Sequence, residues 1–350
     1  MKILLIQQPY LTKYRLPVFE ELAKDYKTYV LASMDKSYGV DDLTSSLFTF
    51  IEAKEVSFFN KKFFWQEKLV STFLQKKPDV LFLSANPRYI SNWVLLLLSI
   101  AFGTKVVLHG QGFYDKDVGF FRKSLANLYS FLCHQYLCYT DTCKISLKGT
   151  RLFKKSVTVE NSIVNNYPVC HKTINTGILY IGRLREGSNL KLLLEIMPEL
   201  NRLHRAELFV VGDGADSSSL IEQYKNCPFI HFEGEIYDGK TISEISEGCC
   251  LGCYPGNAGL SVLHFMSLSL PPVIHSSLRE HMGPEPSYVN HEFDGFYFEK
   301  GDKDSLFGVL HNALSNKKNL EQMQLNAFKK YKTITEPSLA SRIKRVLSNQ

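Results

Sequence analysis

The stretch from Tyr254 to Ile274, YPGNAGLSVLHFMSLSLPPVI, constrains this chain more than any other. A strand-like run, Gly252-Cys253-Tyr254, is punctuated by Pro255-Gly256, and Asn257 to Gly259 make a short turn. Leu260, Val262, Leu263, Phe265, Met266 and Leu268 then recur at helical spacing. Leu270-Pro271-Pro272 stop the helix, and Val273-Ile274 open the next strand. A strand, a glycine-bearing turn and a helix present backbone N–H groups to an anion, and the helix dipole favours a phosphate there. Ser261, near the helix start, is placed to cap such groups. Asn257 and His264 lie about two turns apart, on one side of the element. The stretch reads as the floor of a nucleotide-diphosphate site, or as a βα unit with no ligand.

The same unit recurs along the chain. KILLIQQ (2–8) reads as a central strand, followed by a helix over 16–25 and a strand at TYVLA (28–32). DVLFLS (79–84), KVVL (105–108), QYLCY (135–139) and SVTVE (156–160) continue the series. WVLLLLSIAF (93–102) is ten apolar residues, too short to span a bilayer, and reads as a buried helix. A second series follows: ILYI (178–181), ELFVV (207–211), the strand from Phe229 and the run 249–254, most of them ending in glycine turns. Strands alternating with helices imply parallel doubly wound sheets. The expected architecture is α/β: two Rossmann-like domains over 1–167 and 168–330, facing a central cleft. The linker-like run 161–172 separates them, and a helix within 331–350 crosses back to the first.

Charge supports the division. Residues 1–165 hold 22 Lys+Arg against 14 Asp+Glu, residues 166–330 hold 15 against 20, and the last twenty hold 4 against 1. A basic first half faces solvent, a phosphorylated substrate, nucleic acid or an anionic membrane. FFNKKFFWQEKLVSTFL (58–74) interleaves Phe and Trp with Lys, and GFFRK (119–123) repeats the theme. Such segments suit an interfacial, lipid-facing role or a helix packing its rings on the sheet. No nucleic-acid-binding motif accompanies them, and no nucleic-acid partner is expected. The eight cysteines follow no signal peptide, because Met1-Lys2 runs straight into ILLI. Free thiols and a cytoplasmic location are expected, peripheral on the membrane if the aromatic segments bind lipid. Cys250 and Cys253 have CxxC spacing without a second pair, so no metal site is expected. Lys13, Tyr14 and Arg15 follow the first strand and Arg88 follows DVLFLS, positions where α/β proteins take ligands. They are candidates for acceptor contact, although Lys13 and Arg15 read equally as solvated helix-start charges. His109, at a strand tip in HGQG, is placed for substrate contact.

The ordered set ILYIGRL, LFVVGDG, FEGEI, YPGNAGLSVLHFMSLSLPPVI and GPEPSYV with FDGFYFEKGD resembles the GT-B glycosyltransferases of the retaining class 4 type, found in bacterial capsule and O-antigen synthesis. PYLTKYRLPVFEEL and HGQG extend the resemblance over the whole chain. The resemblance implies transfer of a sugar, with retention, from a nucleotide-diphosphate sugar (UDP, then GDP) to a glycan or undecaprenyl-diphosphate-linked acceptor, without metal or other cofactor. Carried over, Arg183 pairs with the donor diphosphate, and Gly182 and Arg185 flank it. Gly259, Leu260 and Ser261 offer N–H groups, Glu235 and Ile236 hold the base, and His109 touches the reaction centre. Similar enzymes have two glutamates where this chain has Asn257 and His264, and a lysine where it has Ser188 and Asn189. Asn257 and His264 can hydrogen-bond sugar and ribose hydroxyls, Glu285 can supply a carboxylate, and Arg185 can replace the lysine. The alternatives are a nucleotide-sugar 2-epimerase and a non-catalytic transferase-like partner subunit.

Overall fold

The chain was described with a computed structural model covering residues 1–34, 45–114, 119–163, 165, 167 and 175–348. It divides into two units, Met1–Ile163 with Pro337–Gln350, and Val164–Glu336. Most of the expected linker, with Cys170, lies outside the described residues.

In the first unit, apolar runs largely buried on both faces form β1 (Ile3–Tyr10), β2 (Lys27–Ser33), β6 (Val80–Ser84), β7 (Lys105–Gly110) and β8 (Gln135–Cys138), and the more exposed β3 (Thr49–Glu52) and β9 (Ser156–Thr158) lie at the two edges. They pair in parallel in the order β3-β2-β1-β6-β7-β8-β9. Between β3 and β6 the chain forms an antiparallel hairpin, β4 (Glu55–Phe58) with β5 (Phe63–Gln66), in register Phe58↔Phe63. The 58–74 segment is therefore not one helix. Its aromatic part pairs across the hairpin, and only Leu69–Lys76 (α2) is helical. The helices α1 (Leu16–Ala23), α3 (Ile90–Phe102), α4 (Phe120–Leu132) and α5 (Asp141–Ser146) complete the crossovers. Helix α3, expected to be buried, buries Leu95 and Leu96 but exposes Leu97 and Ile100, because only one side meets the sheet.

In the second unit the parallel order is β12 (Ile230–Gly234), β11 (Leu208–Val211), β10 (Gly177–Ile181), β13 (Cys249–Tyr254), β14 (Pro272–His275) and β15 (Phe296–Phe298). Its helices are α6 (Leu190–His204), α7 (Ser217–Tyr224), α8 (Gly239–Glu247), α9 (Ser261–Ser267), α10 (Lys303–Ser315) and α11 (Lys317–Thr335). In each sheet the winding direction reverses once, between β1 and β6 and between β10 and β13. Loops leaving the strands diverge at that point and leave a crevice at the carboxyl edge.

The last helix, α12 (Leu339–Ser348), belongs to the first unit. Leu339, Ile343 and Leu347 join the cluster built on Leu4, Ile6, Phe19 and Leu22. Lys344 reaches both Glu21 and Asp25 at 2.8 Å. Apolar burial outweighs these half-exposed ion pairs, which contribute under about 1 kcal/mol each. Both tryptophans, Trp65 and Trp93, lie in the first unit, so their fluorescence reports its unfolding. Ile343→Ala is expected to lower unfolding stability by about 2–5 kcal/mol in urea titrations followed by tryptophan emission, and Lys344→Ala by less than about 1 kcal/mol. The reverse order would assign the docking of α12 to charge.

Candidate functional site

In the second unit, the carboxyl ends of β10, β11 and β13 are crowded by backbone. A Cβ at Gly256 would collide with the Gly187 carbonyl, and one at Gly212, which has φ +143°, with the Gly182 carbonyl. Glycine at both places lets three loops lie on one another. Gly187 also accepts the Asn257 N–H at 3.1 Å. The stacked rings of Tyr180 and Tyr254, 5.1 Å apart, sit under the first loop, and the Tyr180 hydroxyl donates to the Arg183 carbonyl at 3.1 Å. Gly182 lies against the Tyr254 ring, which leaves Arg183 and Arg185 exposed beyond it.

The Arg185 guanidinium reaches the Met282 sulfur at 2.7 Å, and Met282 donates its N–H to the Ala258 carbonyl at 3.0 Å. Glu285, only 2% exposed, puts Oε2 about 4.0 Å from where a Gly259 side chain would begin. Gly259, Arg185 and Glu285 are thus brought together by the loop that carries Met282 and the GPEPSYV motif. Glu235 accepts from the Tyr237 hydroxyl at the end of β12 and, with Ile236, stands two strand spacings, about 10 Å, from β10.

Two expectations for the turn after β13 need correction. Ser261 does not cap: the cap position is Leu260, without a side-chain bond, and the Ser261 hydroxyl is buried with no partner among the described residues. Asn257 and His264 do not share a helix side, because α9 begins only at Ser261 and Asn257 lies in the loop before it. They also have different partners. Asn257 Oδ1 meets His275 Nε2 at 3.3 Å, whereas His264 Nδ1 meets the Tyr167 hydroxyl at 2.7 Å and Asn165 at 3.4 Å. Burial lowers the His264 pKa to about 4, so the ring is neutral at neutral pH.

In the first unit, the loops after β1, β6 and β7 surround a cavity of about 650 Å³. Gln8, Asn86, Arg88, His109, Gln111 and Tyr139 are among its lining residues. His109 is buried between the rings of Tyr139 (4.4 Å) and Phe82 (5.5 Å), and its Nε2 has no partner among the described residues. Burial, and then the Arg15 charge, hold its pKa well below the ordinary histidine value. The site therefore offers a neutral imidazole. Arg15 is itself buried and donates to Asn161, so it is not a solvated helix-start charge. Lys13 and Tyr14 are exposed in the same 3-10 turn and do not line the cavity. Arg88 lines it, yet its Nε and Nη2 donate to the Lys62 and Lys61 carbonyls and its guanidinium lies 4.6 Å from the Phe64 ring. Arg88 clamps the hairpin tip. Of the other lining groups, Tyr139 and Gln111 carried no separate sequence signal beyond the strand and turn that contain them.

Residues 172–330 match the family of glycosyl transferases group 1. The fold is that of the GT-B glycosyltransferases. HepE of Anabaena, solved with UDP, is similar over 100% of both chains, with 15% identity and a TM-score of 0.74. Sucrose-phosphate synthase of Thermosynechococcus elongatus covers 100% of this chain and 99% of its own, at 12% identity and 0.72. The lipopolysaccharide outer core galactosyltransferase WaaB covers 100% of both chains, at 13% identity and 0.67. No curated protein sequence matches the chain.

The crowding at β10 and β13 has a direct test. Gly256→Ala should destabilise the second unit by about 1–3 kcal/mol in urea unfolding followed by circular dichroism, since a carbonyl cannot move aside cheaply. Gly187→Ala, with open space around its Cβ, should stay within about 0.5 kcal/mol of wild type. Equal losses would place the strain elsewhere.

Proposed function

We propose that this protein transfers a sugar from a nucleotide-diphosphate donor, UDP-linked in the first instance and GDP-linked in the second, to a glycan or lipid-linked glycan acceptor, with retention at the anomeric carbon. One observation carries the reading: the span that matches glycosyl transferases group 1 is the span whose loops gather Arg185 and Glu285 around Gly259. UDP in the HepE structure supports the choice of nucleotide. The N–H groups of Gly259, Leu260 and Ser261, together with Arg183, stabilise the departing diphosphate. Arg185 takes the place of the lysine that similar enzymes carry, because Ser188 is buried in the floor. Glu235 and Ile236 flank the base, Asn257 bonds the sugar, and the first-unit cavity takes the acceptor, with His109 as its reaction-centre residue. No metal enters this scheme. The guanidinium groups and backbone dipoles supply the positive potential, and the leaving phosphate oxygen takes the acceptor proton. His264, bonded to Tyr167 and Asn165, supports α9 and is not assigned to the ribose.

Thermal-shift titration with UDP, GDP, ADP and CMP tests the donor. At a hundredfold excess over Kd one diphosphate should add about 2.7 kcal/mol of stability. Arg183→Ala should remain folded and lose that response. No shift with any nucleotide would favour a non-catalytic partner subunit, a reading to which the absence of both motif glutamates also points.

The partner surface follows from the cavity rim. Arg88 ties the hairpin tip to one side of the cavity, and α4 supplies Phe121 and Arg122 to its lining. Phe59 at the tip is 75% exposed and Phe120 is 87% exposed, with Lys61, Lys62 and Lys123 beside them. Exposed rings among cations fit the interface of an anionic bilayer from which a lipid-linked acceptor enters. Among the described residues no helix is long and apolar enough to cross a membrane. The protein should float with phosphatidylglycerol vesicles at low salt, and Phe59→Ser with Phe120→Ser should abolish flotation. A wild type that stays at the bottom of the gradient would remove the membrane from the scheme.

A further inference from the structure

Two histidines with no role in the scheme above stack against the turn that carries Asn257 and Gly259. His275 ends β14, and His281 follows the 3-10 turn Leu278–Glu280. Their rings lie 3.7 Å apart and 8° from parallel, and both are buried. His281 Nδ1 accepts the Ala258 N–H at 2.9 Å, while its Nε2–H donates to the His275 carbonyl at 3.0 Å. Those partners require one tautomer: a lone pair at Nδ1, because Ala258 is a donor, and a proton at Nε2, because the carbonyl is an acceptor. Met282 N–H holds the other side of the same residue, at the Ala258 carbonyl, 3.0 Å away. His275 directs Nε2 at Asn257 Oδ1, 3.3 Å away, which sets the end of that carboxamide left to face elsewhere.

The charges around the pair agree with this state. Burial is the main cause lowering His275 to about 3 and His281 to about 4, Lys300 adds to it, and Glu280 opposes it. Both rings are neutral at neutral pH.

We propose that His281 and His275 are positioning residues of the donor site: His281 locks the Ala258 backbone so that the Gly259–Ser261 N–H groups face the diphosphate, and His275 orients Asn257. The assignment rests on the donor-site reading above. Removing the Nδ1 lone pair leaves a buried N–H without its acceptor, and the turn is then free to rotate those groups away from the ligand.

Two substitutions separate positioning from packing. His281→Phe keeps the ring and loses both bonds. His281→Asn loses the ring but offers Oδ1 where Nδ1 was. In the ligand-free protein, His281→Phe should raise amide hydrogen exchange at Ala258 about tenfold and weaken UDP binding by a similar factor, the scale of one lost buried hydrogen bond. His281→Asn should return both to within about threefold of wild type. The nitrogen spectrum of histidine-labelled wild type should show His281 with an unprotonated Nδ1 at neutral pH. A His281→Phe protein that exchanges and binds like wild type overturns the assignment, as does a folded His281→Asn that restores neither property, or a charged His281 ring. A wild type that binds no nucleoside diphosphate overturns the donor-site reading instead. The exchange and tautomer measurements then decide the backbone lock by themselves.

Discussion

Parallel pairing is the constraint on which the other features of this protein depend. A strand can lie parallel to its predecessor only after the chain has crossed back over the sheet, so every strand-to-helix loop leaves from the same edge. In each unit the winding reverses once, and the loops flanking the reversal part from one another. The residues with chemical potential collect there: Arg183, Arg185 and Gly256–Ser261 after β10 and β13, Gln8 and His109 near the ends of β1 and β7, and Asn86 after β6.

The two crevices are built from different materials. In the second unit, backbone packs on backbone, with glycines allowing the loops at Gly182, Gly212 and Gly256 to touch. A surface of that kind offers N–H dipoles and admits an anion closely. In the first unit the walls are side chains, and a neutral imidazole, one nitrogen of which has no partner among the described residues, stands among aromatic rings. The first material favours an anion, and the second an uncharged group. Their difference accords with the charge asymmetry along the chain only in part, since Arg15 is buried and Arg88 is engaged with backbone carbonyls.

Much of the fold was legible in the chain. Runs such as ILLI and LFVV carry no polar residue to place outward, which marks strands covered on both faces. The 58–74 segment misled, because a hairpin rich in Phe and Lys has the composition of an amphipathic helix, and only pairing separates them. The helix around Ser261 and the turn before it were read correctly, whereas the common side given to Asn257 and His264 was not. Asn257 lies in that turn, and turns have no period to read.

The sequence by itself determined the alternation of strands and helices, the glycine positions at the loop ends and the order of the donor motifs, because these depend on local propensity and on chemistry within a few residues. Only the tertiary structure decided which groups meet. Glu285 beside Gly259, His281 under Ala258, Asn161 on Arg15 and α12 against α1 join residues separated by up to hundreds of positions. Those contacts are set by strand order and by burial. Burial also decided protonation: His109, His264, His275 and His281 are ordinary histidines in the chain and neutral ones in the fold, since a charged ring cannot be taken out of water without a partner.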